Sequence, residues 1–211
     1  YCAGHLIEAA VAHYEATGSR KFLDAMCRCA DYIGTVFGPE ADRMHGYPGH
    51  EELELALCKL ADATGNDAYF RLAKYFVDER GKSPNFFQQE DPGRNEGQLK
   101  NRQAHKPVRE QRDADGHSVR ALYLYAGMAD VAERSNDAEL LDACKALFDS
   151  IAEKRMYITG GCGSTLIGEA FTVDYNLPND TAYAESCASM ALVQFAKRLL
   201  NITRQGRYAD V

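Results

Sequence analysis

His5 to Ala25 reads HLIEAAVAHYEATGSRKFLDA, and this stretch decides the fold. Leu6, Ile7, Ala10, Val11 and Tyr14 recur at helical spacing, which lays one apolar stripe along a helix. Gly18 interrupts the pattern, as a residue free to enter the left-handed conformation does at a helix end. Beyond it, Phe22, Leu23 and Ala25 restart the apolar spacing. The stretch is a helical hairpin.

The hairpin returns along the chain. Gly65 is followed by Tyr69-Phe70 and Ala73, and Asn136 by Leu140-Leu141 and Ala143. Helical periodicity precedes each of these turns, over Glu51 to Ala63 and over His117 to Ala132. A fourth periodic run, Ser186 to Leu200, reads as the first helix of a further unit. Strand-like alternation is tolerated only at Arg155 to Thr159 and Phe171 to Val173. One repeated supersecondary unit implies a stacked helical array, so the expected class is all-α. The array looks cut at both ends: Tyr1 stands one turn before a helix, and Tyr208 to Val211 stops where a partner helix should begin. Between the second and third units lies a polar segment, Gly81 to Arg112. Its part from Gln88 to Gln98 reads as a flexible loop. Its end, Gln103-Ala104-His105-Lys106-Pro107-Val108, reads as a strap overhanging a pocket.

A second register runs through the repeats. The first helix of each unit is expected to begin at Gly4-His5, Gly49-His50 and Gly116-His117, and in the fourth unit Ala184-Glu185 takes that place. Equivalent positions in repeated units lie at equivalent heights. In a closed ring these side chains face one mouth; in an open solenoid they form a row along a surface. A lone histidine at a helix start is usually a cap, but three in one register point to a shared site.

The 211 residues are 45% hydrophobic, with a formal net charge of -7 and no basic stripe. That excludes a nucleic-acid backbone as partner. No apolar run approaches the roughly 20 residues that span a bilayer, so no membrane partner is expected. The seven cysteines are odd in number and mostly sit in apolar helical patterns. They read as reduced thiols in a cytoplasmic compartment. The sequons at Asn179 and Asn201 read as chance matches.

The chemistry concentrates near the fourth unit. Tyr157-Ile158-Thr159-Gly160-Gly161-Cys162-Gly163-Ser164-Thr165 is glycine-rich, but it lacks the Lys-Ser/Thr ending of a phosphate loop. It suits a loop whose backbone is approached closely and which sets Glu169 at a pocket rim. Glu169 and Glu185 have the makings of a glycosidase carboxylate pair. Glu185-Ser186-Cys187 also offers two zinc donors, yet zinc usually takes four, and no CxxC or HExxH completes the set. From the residues alone, three readings stand: a carboxylate-pair sugar enzyme, a metal-dependent one, and a helical-repeat interaction module.

Longer runs are recognisable. Tyr1 to Ala10, His45 to Glu52, Gln103 to Gln111, and above all Gly168 to Ser189, which contains Asp174-Tyr175-Asn176-Leu177-Pro178-Asn179-Asp180-Thr181, resemble glycoside hydrolase family 127, the β-L-arabinofuranosidases. The resemblance covers nearly the whole chain. It implies that residues 1–211 are part of an (α/α)6-barrel catalytic domain, which β-sandwich domains follow. It implies release of β-L-arabinofuranose from plant glycans or glycopeptides, with retention, by a cysteine nucleophile held on zinc. By resemblance Glu169 is the general acid/base, Glu185 and Cys187 are two of four zinc ligands, and His5, His50 and His117 hydrogen-bond the sugar. The family's other two zinc cysteines, one of them the nucleophile, form an adjacent pair. No cysteine follows Cys187 here, so that pair is expected beyond Val211, and the 211 residues alone are expected to be inactive.

Overall fold

Each expected hairpin turn is a left-handed residue closing a helix. In the computed structural model, which describes all 211 residues, α1 (Cys2–Thr17) ends at Gly18 with φ 72°. α3 (Leu53–Thr64) ends at Gly65 with φ 69°. The three hairpins pair α1 with α2 (Arg20–Val36), α3 with α4 (Asp67–Glu79), and α7 (Ser118–Ser135) with α8 (Ala138–Lys154). Asn136, φ 52°, closes α7. Asn66 and Asp137 then cap the following helices, their side chains accepting from the N–H groups of Ala68 and Leu140. α9 (Ser186–Thr203) is the lone first helix of the fourth unit.

The first helices form a layer, α1 against α3, α3 against α7 and α7 against α9, while α2, α4 and α8 lie on their own partners. Composition explains the division. α7 buries residues all round from Ser118 to Ala132, and α3 buries nearly all of Leu53–Ala61. A helix that is apolar on every face belongs inside. α2 buries only Leu23, Met26 and Ala30 and so belongs outside. Along the layer's two flanks, α1 exposes Leu6, and α9 exposes Met190 and Val193. This is one part of an α/α barrel with no β-strand. Of the two stretches that tolerated alternation, Arg155 to Thr159 contributes one isolated bridge, Met156 with Cys162, and Phe171 to Val173 contributes none, although the preceding Ala170 bridges Thr165 and His117. No helix is long and apolar enough to cross a membrane. All seven cysteines are unpaired.

The polar segment differs from its sequence reading. Gln88 to Gln98 is not a plain loop but carries parts of two short helices, α5 (Phe86–Glu90) and α6 (Glu96–Lys100). Asn85 and a capping box of Asn95 with Gln98 start them. Phe87 and Leu99, both buried, dock them on the core. The strap is a buried brace rather than an overhang. Gln103 Nε2 donates to the carbonyls of Asp115 (2.7 Å) and His117 (3.4 Å), and Gln111 Nε2 donates to those of Gln103 and Lys106. These bonds pin the start of α7. Gly116, φ 75°, passes so close to Lys100 that a Cβ there would lie 2.0 Å from its carbonyl oxygen.

Candidate active site

The second register brings its four positions to one mouth, though not by identical local geometry. Glu185 and His117 are N-caps, of α9 and α7. His50 lies three residues before α3, and His5 lies inside the first turn of α1. The helices therefore do not all begin at Gly-His. The loop before α3 compensates, and the rings converge. His50 and His117 stand 5.6 Å apart between ring centres. Tyr1 lies 4.5 Å from His5 and 4.2 Å from His50, and Tyr123 of α7 lies 5.6 Å from His5. The rings gather at one mouth of the helix layer rather than along a row.

The glycine-rich loop sets the two carboxylates. Gly163 lies against Ser118, where a Cβ would stand 2.9 Å from the hydroxyl oxygen. Its carbonyl accepts from the N–H groups of Tyr183 and Ala184, which delivers Glu185 to the start of α9. On the other side, Ser118 Oγ donates to the carbonyl of Glu169 (3.1 Å), Asn101 Nδ2 donates to that of Gly168 (2.9 Å), and Phe171 N–H donates to that of Gly116 (2.9 Å). Glu169 itself is held at φ 52° and Ala184 at φ 41°. Left-handed backbone costs a non-glycine residue roughly 1–2 kcal/mol, and such strain gathers where a side chain must be aimed. Glu169 Oε2 thereby lies 2.8 Å from His117 Nε2.

Hydrogen bonding fixes the imidazole tautomers. His117 Nδ1 accepts from the N–H of Arg120, so Nε2 carries the proton and donates it to Glu169. His50 is the reverse: its Nδ1 is 2.8 Å from the Glu51 carbonyl and donates to it, leaving Nε2 as an acceptor. Burial pushes His50 down to about 4 and also lowers His117. Both are neutral at physiological pH. Cys187, half-buried, is raised above the ordinary thiol value, first by its hydrogen bond to Glu185 and then by burial. The carboxylate and the thiol stand two residues apart at the head of α9. Their donor types fit two positions of a zinc site.

The loop carrying His50 rests on a buried cation that sequence reading missed. Arg80, Glu51 and Glu54 are all fully buried. Arg80 lies 2.8 Å from Glu51 Oε1 and 3.1 Å from Glu54 Oε1. It also donates to the carbonyls of Pro48 (2.7 Å) and Arg102 (2.9 Å) and stacks over Tyr47. Burial raises Glu51 to about 7 in spite of Arg80. The available signal was Glu51-Glu52-Leu53-Glu54 at the head of an all-apolar helix, where acids have nowhere to go but inside.

Comparison with known proteins agrees with this fold. The family model described as β-L-arabinofuranosidase, GH127 catalytic domain, matches residues 1–211. A non-reducing end β-L-arabinofuranosidase of Bifidobacterium longum subsp. longum is 43% identical over 100% of this chain and 33% of its own. A crystal structure of a GH127 β-L-arabinofuranosidase from Geobacillus stearothermophilus T6 superposes with TM-score 0.96 at 53% identity, over 100% of this chain and 34% of the other. A second solved structure, a GH127 β-arabinofuranosidase, has TM-score 0.89 at 42% identity, over 99% of this chain and 31% of its own. The chain spans about a third of the length of these relatives. With a whole-length family match and a site that converges on one mouth, the chain belongs to the GH127 β-L-arabinofuranosidase catalytic-domain family.

Proposed function

We propose that the protein carrying this chain is a β-L-arabinofuranosidase, that residues 1–211 supply one wall of its catalytic domain, and that its substrates are arabinofuranose-bearing glycans or glycopeptides. The contact between His117 and Glu169 carries the reading. It holds a carboxyl group at a mouth lined by three imidazoles, where a general acid must reach a glycosidic oxygen.

In this reading Glu169 protonates the departing oxygen and later takes a proton from the attacking water. His117 aims it. The neutral His50 accepts a sugar hydroxyl at Nε2, and His5 completes the contacts to the ring. Glu185 and Cys187 are assigned as two zinc ligands. Zinc bound there would keep a coordinated cysteine as thiolate at neutral pH, the chemistry that the retaining mechanism asks of its nucleophile. That nucleophile is not assigned to any of the seven cysteines present. Convergence of the histidines on one mouth weighs against an interaction module, which would spread its contacts along a surface.

The test is hydrolysis of an aryl β-L-arabinofuranoside by the intact protein, with metal analysis. Turnover with about one zinc per chain, reduced by Glu185→Ala, is expected. Turnover without zinc would return Glu169 and Glu185 to the role of a carboxylate pair.

A further inference from the structure

One buried acid beside the mouth has no part in that chemistry. The side chain of Glu52 is fully buried, and neither oxygen meets a well-formed hydrogen-bond donor. Its Oε1 lies 3.4 Å from His5 Nδ1. Glu8, from the next turn of α1, brings Oε2 to 3.9 Å from the same nitrogen. Donor atoms of His5, Glu8 and Glu52 all fall within 4.8 Å of one another. The fit is tight, since a Cβ on Gly4 would lie 1.4 Å from Glu52 Oε2.

The charges around this cluster do not balance. α1 contributes Glu8 and His5, and α3 contributes Glu52, Glu54 and Lys59. α9 contributes Arg198, which acts on Glu8, while the phenol of Tyr123 faces Glu52. Lys59 is committed to Glu8, and Glu54 to Arg80. Glu52 is left without a cation of its own, and an unpaired buried carboxylate is costly. Two carboxyl groups at one site cannot both ionise cheaply. A proton neutralises the surplus. A divalent cation would have to sit beside the Lys59 ammonium.

We propose that Glu8 and Glu52 share one proton, and that the pair holds His5 by Nδ1 so that Nε2 is offered to the sugar. The Glu52 hydroxyl donates to the Glu8 carboxylate, and the Glu52 carbonyl oxygen accepts from His5 Nδ1–H. Glu52 is then a positioning residue. His5 takes the tautomer that His50 takes, with Nδ1–H engaged and Nε2 an acceptor. Burial and the neighbouring Glu8 push Glu52 up to about 10. The bonds to Glu52 and Lys59 hold Glu8 below the ordinary range against its own burial. The role of His5 rests on the proposed function; the shared proton does not.

The test uses the intact protein with isotope-labelled glutamate. Infrared difference spectra at neutral pH should contain a protonated carboxyl band that Glu52→Gln removes. The amide of that variant would still present an N–H donor to Glu8 and a carbonyl to His5, so Glu52→Gln should rescue what Glu52→Ala loses. Glu52→Ala should raise KM for an aryl arabinofuranoside by about tenfold or more, through misplacement of His5. Identical infrared spectra for wild type and Glu52→Gln, or a stoichiometric divalent cation lost in that variant, would overturn the proposal. If the substrate is not turned over at all, the proposed function fails while the carboxyl band still decides the shared proton.

Discussion

His117 Nε2 stands 2.8 Å from Glu169 Oε2, and each residue is fixed by a different element. His117 is the N-cap of α7. Glu169 hangs from a strained loop sewn to Ser118. The contact therefore reports the docking of the glycine-rich loop onto α7. General acid catalysis contributes typically about 10²–10⁴-fold. Glu169→Gln keeps the shape and removes the transferable proton. Its turnover should fall by about that factor with poor leaving groups and much less with activated aryl glycosides. Equal losses for both, measured as kcat, would remove Glu169 from the acid role.

His50 makes stability depend on pH. Its value is lowered from 6.5 to about 4 by burial. Between these values the unfolded chain binds a proton that the folded chain refuses. Stability fully present above pH 6.5 is therefore lost progressively as pH falls toward 4. His50→Gln should flatten that fall. Thermal unfolding of wild type and variant, compared across this window, isolates the histidine. Parallel pH profiles would contradict the assignment.

Arg80 should be among the most sensitive positions away from the mouth. Removing one partner of a buried ion pair costs about 3–5 kcal/mol. Arg80→Met strands Glu51 and Glu54 and frees the carbonyls of Pro48 and Arg102. Its loss should shrink as pH falls, because the stranded carboxylates then take up protons that the unfolded chain binds less tightly. A melting temperature close to wild type would show that the network is dispensable. Because the same network carries the His50 loop, KM should rise even where the variant remains folded.

The sequence disclosed those features that obey a local rule. Gly18, Gly65 and Asn136 announced their turns because left-handed backbone favours few residues. The shared register of His5, His50 and His117 announced a shared site, at a mouth or along a row, because repeats preserve height. It did not disclose that His5 lies inside a helix while His117 caps one, since the difference depends on where each helix starts, at Cys2 for α1 and at Ser118 for α7. The role of Gln103 was also hidden: a glutamine in a polar run looks solvated until its amide is seen to bind the carbonyls under His117. Glu8 and Glu52 are far apart in sequence, and only the packing of α1 on α3 places them at one nitrogen.

Gly4 offers the most selective test of that packing. In a helix interior, glycine to alanine ordinarily stabilises by about 1 kcal/mol. Here the added methyl carbon would lie 1.4 Å from Glu52 Oε2 and 3.1 Å from the Glu52 backbone carbonyl carbon. The carboxyl group must move, and with it the partner of His5 Nδ1. Gly4→Ala should destabilise instead, by about 1–3 kcal/mol as overpacking does, and should raise KM through His5. Most of the clash is with the carboxyl end, so Glu52→Ala should relieve most of the added cost. The double variant should then be more stable than the sum of the two single losses predicts, because residues in contact do not add. Strict additivity in a double-mutant cycle would mean that Gly4 and Glu52 do not meet.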